Sequence, residues 1–288
     1  MRKILGLVLA LSFWLLTVKY HLTFSHWISS TREIFGITFQ PKNYSWEIFI
    51  FFGLCTVLLI SYQLSRTKNK TPLIVIWVTI SFIIWVINLA LLTTPLENIH
   101  FLQYGIIAWL LAYSIDSSYR QSIVLALILI STALGILDEF YQYVYLTRDY
   151  GSYLDFNDFI LNQIGSVCGL TLYYGSYHQL GSKIRSENDL LRVSVMTLYG
   201  VAFSLAALLF YFDYLRLATQ QSIPPGGLMD VGERTIFFLE RAPNLLGHWH
   251  QSFSSDLYFV IGPIQWIYIF LCIAIVFPYA IEKYLAKQ

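Results

Sequence analysis

Apolar runs long enough to cross a bilayer dominate the chain, and the polar positions between them are short or clustered. A helix needs about 20 mostly apolar residues to cross a hydrocarbon core of roughly 30 Å. Eight segments meet or approach that length: 4–20, 46–64, 72–93, 99–115, 122–139, 158–179, 193–212 and 256–281. The pattern predicts an all-α fold, a polytopic transmembrane helical bundle of about eight spans. The first run follows Arg2 and Lys3 as the core of a signal peptide would. Only Lys19-Tyr20-His21 comes after it, with no small-x-small cleavage site, so it reads as an uncleaved anchor. In the last run, Pro263 and Pro278 are compatible with a span whose neighbours satisfy the freed carbonyls.

Composition narrows the class. Of 288 residues, 57% are hydrophobic and 12% charged, with a mean hydropathy of +0.59. A soluble domain carries about 25% charged residues, so a water-soluble globule, a disordered chain and a nucleic-acid binder are all excluded. The net charge of +1 selects no acidic partner. Cys55, Cys168 and Cys272 are far apart in apolar runs and read as small buried hydrophobes.

Basic residues set the orientation. With the N-terminus inside, eleven of the 18 Lys and Arg residues fall on the inner side and seven on the outer. The short inner loops are the basic ones (RTKNK at 66–70, SKIR at 182–185), which predicts both termini in the cytoplasm. Tyr141, Tyr143, Tyr145, Tyr150 and Tyr153 crowd one outer loop, with Trp27, Trp46 and Trp249 in others, the usual headgroup-level placement of aromatic rings. The stretch VGERTIFFLERAPNLLG at 231–247 either lies along the membrane surface or packs over the outer helix ends, and the second is favoured.

The candidate chemistry lies between Pro95 and Gly169. Glu97, His100 and Tyr104 are spaced i, i+3 and i+7, so they share one face of span four. Asp138 and Glu139 precede Gln142 by four and three residues, and Asp158 precedes Asn162 by four. His100, Asp138 and Asn162 each lie 15 or 16 residues from an inner helix edge, taken as Ile115, Ile123 and His178. At 1.5 Å per residue that is roughly 22–24 Å, a common depth below the outer surface. Ionisable groups within a membrane are costly and seldom face lipid, so they are expected to converge on a polar pocket open to the outer side. Glu97, His100, Asp138 and Glu139 are the candidate acid–base groups. Tyr104, Gln142, Arg148, Asp158 and Asn162 are the candidate substrate-binding residues; Arg148 either overhangs the pocket, to pair with a carboxylate or clamp an anionic headgroup, or is an exposed loop arginine. Structural alternatives exist for single residues: Asp158 can cap the start of span six, and Glu97 sits where a helix N-terminus favours negative charge. Gly165 and Gly169 form a small-xxx-small step suited to close helix packing.

Glu97-x-x-His100 with Tyr104, Asp138-Glu139-x-x-Gln142, Arg148, and Asp158-x-x-x-Asn162-x-x-Gly165 with Gly169 together resemble the VanZ-like family of bacterial integral membrane proteins. The resemblance covers roughly residues 72–180. It divides the chain into two N-terminal spans (1–71), a four-span core (72–180) and a C-terminal pair with a long outer loop (181–288). One departure is the ten-residue interval from Arg148 to Asp158, which makes Asp155 a competitor for the family's aspartate. The resemblance implies a cell-envelope setting in the bacterial cytoplasmic (inner) membrane and an association with teicoplanin-type glycopeptide-antibiotic resistance; it brings no settled reaction.

Three functions are open at this point. The first is a membrane-embedded enzyme acting on an amphiphilic or lipid-linked envelope substrate. The second is a non-enzymatic protein that binds or shields such a molecule, and the third a small transporter. The expected partner is a membrane lipid or lipid-linked molecule, with no nucleic acid. No cofactor and no metal site are predicted; a divalent metal is the alternative, since Glu, His, Asp and Asn are ligand types, but the chain lacks the second Glu-x-x-His of di-metal bundles.

Overall fold

The computed structural model describes residues 2–29, 32–34, 37–39, 41–67, 70–116, 123–176, 189–217, 223–252 and 256–285. Its frame is made of long helices: α1 (Arg2–Ser29), α2 (Pro41–Arg66), α3 (Lys70–Ala90), α4 (Ile99–Ile115), α5 (Val124–Tyr141), α6 (Phe156–Ser176), α7 (Asp189–Tyr211) and α8 (Pro263–Leu285). Among the described residues, five segments are long and apolar enough to cross a membrane: Ile4–Thr23, Lys70–Ala90, Val124–Leu146, Leu190–Tyr211 and Pro263–Lys283. The chain is therefore a mostly helical, multi-pass membrane protein. Its surface agrees with that reading, because large apolar side chains point outward in rows: Val78, Phe82 and Trp85 on α3, Leu198, Val201 and Leu205 on α7, Ile264 and Ile275 on α8. In water such patches would drive association. The basic 182–185 stretch, Lys68, Arg120 and His178 lie outside the described residues, as do the side chains of Trp27 and Trp46.

The remaining long helices depart from that composition for different reasons. α4 has 17 residues, at the lower end of what a span needs. α6 has 21 residues but carries Asn157, Asp158, Asn162, Gln163, Ser166 and Thr171. It tolerates them because it is the centre of the bundle, buried along most of its length and packed against α4, α5 and α8. Glycine sets how closely α4 and α6 approach. A Cβ added at Gly169 would lie 2.0 Å from the carbonyl oxygen of Gly105, and one at Gly165 would lie 2.8 Å from that of Phe101. The two backbones touch, the arrangement that small residues permit between membrane helices. Gly135 does the same for α5, where a Cβ would meet Cβ of Asn162 at 2.9 Å.

The mostly helical fold is as expected, but the all-α expectation misses seven short strands among the described residues, all at the end of the bundle that carries His100. β1 (Arg32–Ile34) and β2 (Ile37–Phe39) pair between α1 and α2. Between α7 and α8, β5 (Arg234–Phe238) is flanked by β3 (Leu215–Arg216), parallel, and β4 (Leu228–Val231), antiparallel. The β4–β5 hairpin turns through Gly232 at φ 65°, a conformation that favours glycine. β6 (His248–Gln251) pairs with β7 (Leu257–Val260) in the register His248↔Val260. The last helix consequently begins at Pro263, not at 256. The apolar run 257–260 is a strand, and Pro263 opens the helix at the position where its missing N–H is harmless.

These strands pack over the helix ends, as favoured for residues 231–247. Tyr143 hydroxyl donates to the carbonyl of Phe238 at 2.7 Å, and Leu154 N–H to that of Leu239 at 2.8 Å. The Arg241 guanidinium donates to the carbonyl of Thr147 at 2.9 Å and to that of Arg148. Tyr143 is thus buried, whereas Tyr145, Tyr150 and Trp249 are exposed. The stretch holding Tyr141, Tyr143 and Tyr145 is helical, ending in a wide π turn over Gln142–Leu146. Cys272 is exposed on α8, which corrects its expected burial; Cys55 and Cys168 are part-buried.

The packing makes a direct prediction. Gly169→Ala forces apart two backbones that cannot yield by a rotamer change, and overpacking of this kind costs about 1–3 kcal/mol. Gly200→Ala on α7 meets nothing within 4 Å and gains up to about 1 kcal/mol in helix propensity. Melting temperatures of the two variants in detergent should therefore move in opposite directions.

Candidate functional site

Three helices bring their polar residues together beneath the strands. His100 comes from the first turn of α4, Asp138 and Glu139 from the last turn of α5, and Asp158 and Asn162 from the first turns of α6. Asn162 is the hub. Its side-chain oxygen lies 2.8 Å from Nδ1 of His100, and its Nδ2 donates to Oε1 of Glu139 at 3.4 Å. With Glu139 ionised its carboxylate only accepts, which turns Asn162 Nδ2 toward Glu139 and the Asn162 oxygen toward a protonated His100 Nδ1. His100 Nε2 points to Oδ2 of Asp158, 3.6 Å away.

A second set of bonds fixes the acidic pair of α5. Tyr104 hydroxyl donates to Oδ2 of Asp138 at 2.9 Å. Gln142 Nε2 donates to Oδ1 of Asp138 and Oε1 of Glu139, both at 3.2 Å. Gln142 is the first residue of the π turn, and such turns are frequent at functional sites. His100, Tyr104, Asp138, Glu139, Gln142 and Asn162 are all buried, and the Asp158 side chain is 15% exposed.

Not every expected residue joins. Glu97 turns back from α4 instead of sharing a face with His100. It lies in a short 3-10 turn, Pro95–Asn98, and its carboxylate accepts from the N–H of Thr93 at 3.1 Å, the N–H of Thr94 at 3.0 Å and the Thr93 hydroxyl. Arg148 does not overhang the carboxylates. Its side chain is exposed, and its carbonyl receives Gly226 N–H at 3.1 Å. The capping role open to Asp158 belongs to Asp155, whose Oδ1 accepts from the N–H of Asn157 at 2.9 Å and of Asp158 at 3.3 Å. This frees the Asp158 side chain to face His100. The pocket open to the outer side becomes, in the structure, a set of buried groups under the strand layer.

Four contributors were not singled out from the sequence. His21 of α1 lies against His100, ring centroids 5.5 Å apart. Trp14, two turns earlier on the same helix, donates from Nε1 to the carbonyl of Leu134 at 3.0 Å. Asn157 ties the strand layer to the bundle: its Nδ2 donates to the carbonyls of Leu91 (3.0 Å) and Phe259 (2.8 Å), and its Oδ1 accepts from Ile261 N–H (2.9 Å). Arg241 is the fourth, a buried cation on backbone carbonyls. The seven-residue spacing of Trp14 and His21 is the only signal available in the sequence; Asn157 and Arg241 act across 66 residues or more.

Electrostatically the site is one-sided. Among the described residues, no Lys or Arg forms an ion pair with Glu97, Asp138, Glu139, Asp155 or Asp158. Outside the spans, burial pushes the Glu97 carboxyl up to about 7 against the pull of its Thr93 hydrogen bonds, and burial pushes Asp155 up to about 6. No family model matches the chain, and neither a curated protein nor a solved structure matches it.

The sign of the Glu97 shift is testable. An exposed glutamate titrates near 4.3. Between about pH 4.3 and 7 the folded chain therefore holds a proton that the unfolded chain releases, so stability falls as pH rises through that window. Glu97→Gln removes the Glu97 part of this dependence. The melting temperature of wild type minus that of Glu97→Gln should shrink between about pH 5 and about pH 8. A difference that grows with pH would show that the threonine donors outweigh burial.

Proposed function

We propose that this is an envelope protein of the bacterial cytoplasmic membrane whose His100–Glu139–Asp158 site acts on the polar head of an amphiphilic or lipid-linked molecule by acid–base chemistry. The observation that carries the reading is the meeting of one histidine and two carboxylates from three helices at one end of the bundle. A histidine hydrogen-bonded on one ring nitrogen and free on the other is set to pass a proton. Asp138, Tyr104, Gln142 and Asn162 act as positioning residues in this scheme. Access is by way of Asp158, whose side chain is the most exposed of the three. All eight helices span, with both termini in the cytoplasm, so the site lies near the outer leaflet. The likeness of these residues to VanZ-like proteins supports the same setting; the link to teicoplanin-type resistance comes from that likeness alone.

A binding or shielding protein is the second reading. The near-complete burial of His100, Asp138 and Asn162 favours it, since these groups meet a ligand only if the strand layer moves. Transport has no such support.

Two measurements test the proposal. Glu139→Gln and His100→Ala should each abolish the phenotype that the wild-type gene confers, such as survival under a glycopeptide, at unchanged membrane abundance. Loss of at least about 100-fold is expected where a general acid or base is removed. Full activity of both variants would refute the site. Orientation is checked separately in a cysteine-free background. Tyr150→Cys, on an exposed loop at the strand-bearing end, should react with an impermeant thiol reagent on intact cells, and Ser65→Cys, at the other end, should not. The reverse pattern would put the site at the cytoplasmic face and remove the outer-leaflet substrate.

A further inference from the structure

The carboxylates of this region differ in how they are satisfied. Asp138 receives Tyr104 and Gln142, Asp155 receives two backbone N–H groups, and Glu97 receives the Thr93 and Thr94 amides. Glu139 has donors only at Oε1, and Asp158 accepts no hydrogen bond among the described residues. These two donor-poor carboxylates are the ones beside His100. A nitrogen of His100, a carboxylate oxygen of Glu139 and one of Asp158 all lie within 4.8 Å of one another.

The imidazole shows what is missing between them. His100 is 2% exposed, and Asn162 holds its Nδ1 as the donor. The free Nε2 then presents a lone pair to a carboxylate oxygen at 3.6 Å, beyond hydrogen-bond length. A shared proton would draw the two atoms to hydrogen-bond length, so a lone pair and a carboxylate at 3.6 Å repel unless a larger cation sits between them. Two ligands bound at about 2.1 Å to one tetrahedral ion are about 3.4 Å apart, close to the observed separation. Metal-bound histidines almost always donate their other ring nitrogen to a fixed acceptor, the part Asn162 takes here.

We propose that His100 Nε2, Glu139 and Asp158 bind one divalent transition-metal ion of the zinc–manganese class. One imidazole with two carboxylates suits these ions, whereas calcium and magnesium prefer all-oxygen sets of six or more ligands. Two carboxylates balance the charge of the ion, which accounts for their burial without Lys or Arg. Three protein ligands leave a coordination position open for water or for a headgroup oxygen. The inference rests on the site named above and changes one role in it: with the ion bound, His100 Nε2 is a ligand and not the proton carrier, and the carboxylates keep the acid–base part.

The test uses the full-length, tag-free protein in detergent, stripped with a chelator and equilibrated with Zn2+ alone or Mn2+ alone. Elemental analysis should find about one ion per chain. His100→Ala and Asp158→Asn should lose it. Asn162→Ala should weaken binding about 10–100-fold, and Asn162→Asp, which keeps an acceptor for Nδ1, should restore it. The double variant His248→Ala/His250→Ala in β6 should keep the ion, excluding an adventitious outer site. Zn2+ should raise the melting temperature of wild type but not of His100→Ala, with equal helicity of the metal-free proteins. Should a ligand variant fail to fold, Co2+ absorption of the wild type reads the site directly: nitrogen–oxygen ligand-field bands support the ion. Their absence from folded wild type, or an ion retained in His100→Ala, overturns it. A metal-free wild type in which Glu139→Gln still abolishes the phenotype removes the ion and leaves the acid–base site. An ion in wild type with full activity of Glu139→Gln supports the ion and removes the proposed function.

Discussion

Everything at the site depends on the backbone contact between α4 and α6. Gly105, Gly165 and Gly169 leave nothing between the two helices but main chain, and only that distance lets His100 and Asn162 share a 2.8 Å hydrogen bond. A methyl group on that seam would have to move a whole helix, since carbonyl oxygens have no rotamer to yield. Gly135 extends the same constraint to α5 by seating Asn162 against its backbone, so that one carboxamide reaches both α4 and α5. The geometry of the ionisable groups is thus inherited from small residues that carry no chemistry.

The same packing explains how a membrane protein holds so polar a helix. α6 has neighbours on several sides, and its asparagines, glutamine, serine and threonine find partners within the bundle: Ser166 and Thr171 on carbonyls of their own helix, Gln163 on the carbonyl of Phe270. The apolar burden falls on helices such as α3 and α7, which show valine, leucine and tryptophan outward. At the opposite end, Gln63 of α2 donates to the carbonyl of Leu172 at 2.7 Å, and Tyr174 hydroxyl to Asp116 at 2.6 Å. Polar groups are therefore fixed at both ends of α6, and lipid contact is left to side chains that can bear it.

How much of this was legible in the sequence follows from the range over which each signal acts. Helical periodicity and rise are local, so the apolar runs gave the helices, and residue counts from one edge put His100, Asp138 and Asn162 at one level. Spacing could not say which way a side chain turns at a helix start. Glu97, in phase with His100 on paper, folds back onto Thr93 and Thr94 because a 3-10 turn interrupts the helical phase there. Arg148 was placed by its nearness in sequence to the acidic pair, but the loop is held by its carbonyl, which leaves the side chain outside. The strand layer escaped notice because its strands are two to five residues long and pair across turns and a parallel crossover. Too short to show a period, they are fixed by Tyr143, Asn157 and Arg241, whose partners no local pattern discloses.

The strand layer also decides the charge of the site. It brings one buried cation, Arg241, to the end of the bundle that holds the carboxylates. Its guanidinium bonds the carbonyls of Thr147 and Arg148 and lies over the Tyr143 ring, 5.0 Å from the centroid. Those contacts brace the loop from the π turn to α6, and among the described residues Arg241 forms no ion pair with Glu139 or Asp158. Buried carboxylates elsewhere are neutralised by an arginine fixed in place, and breaking such a pair is costly. Here the fixed cation holds the scaffold and the carboxylates face His100. A permanent ion pair would satisfy Glu139 and Asp158 and also silence them. With Arg241 committed to carbonyls, Glu139 and Asp158 stay without a fixed cation among the described residues, and so stay free to take up either a proton or a ligand.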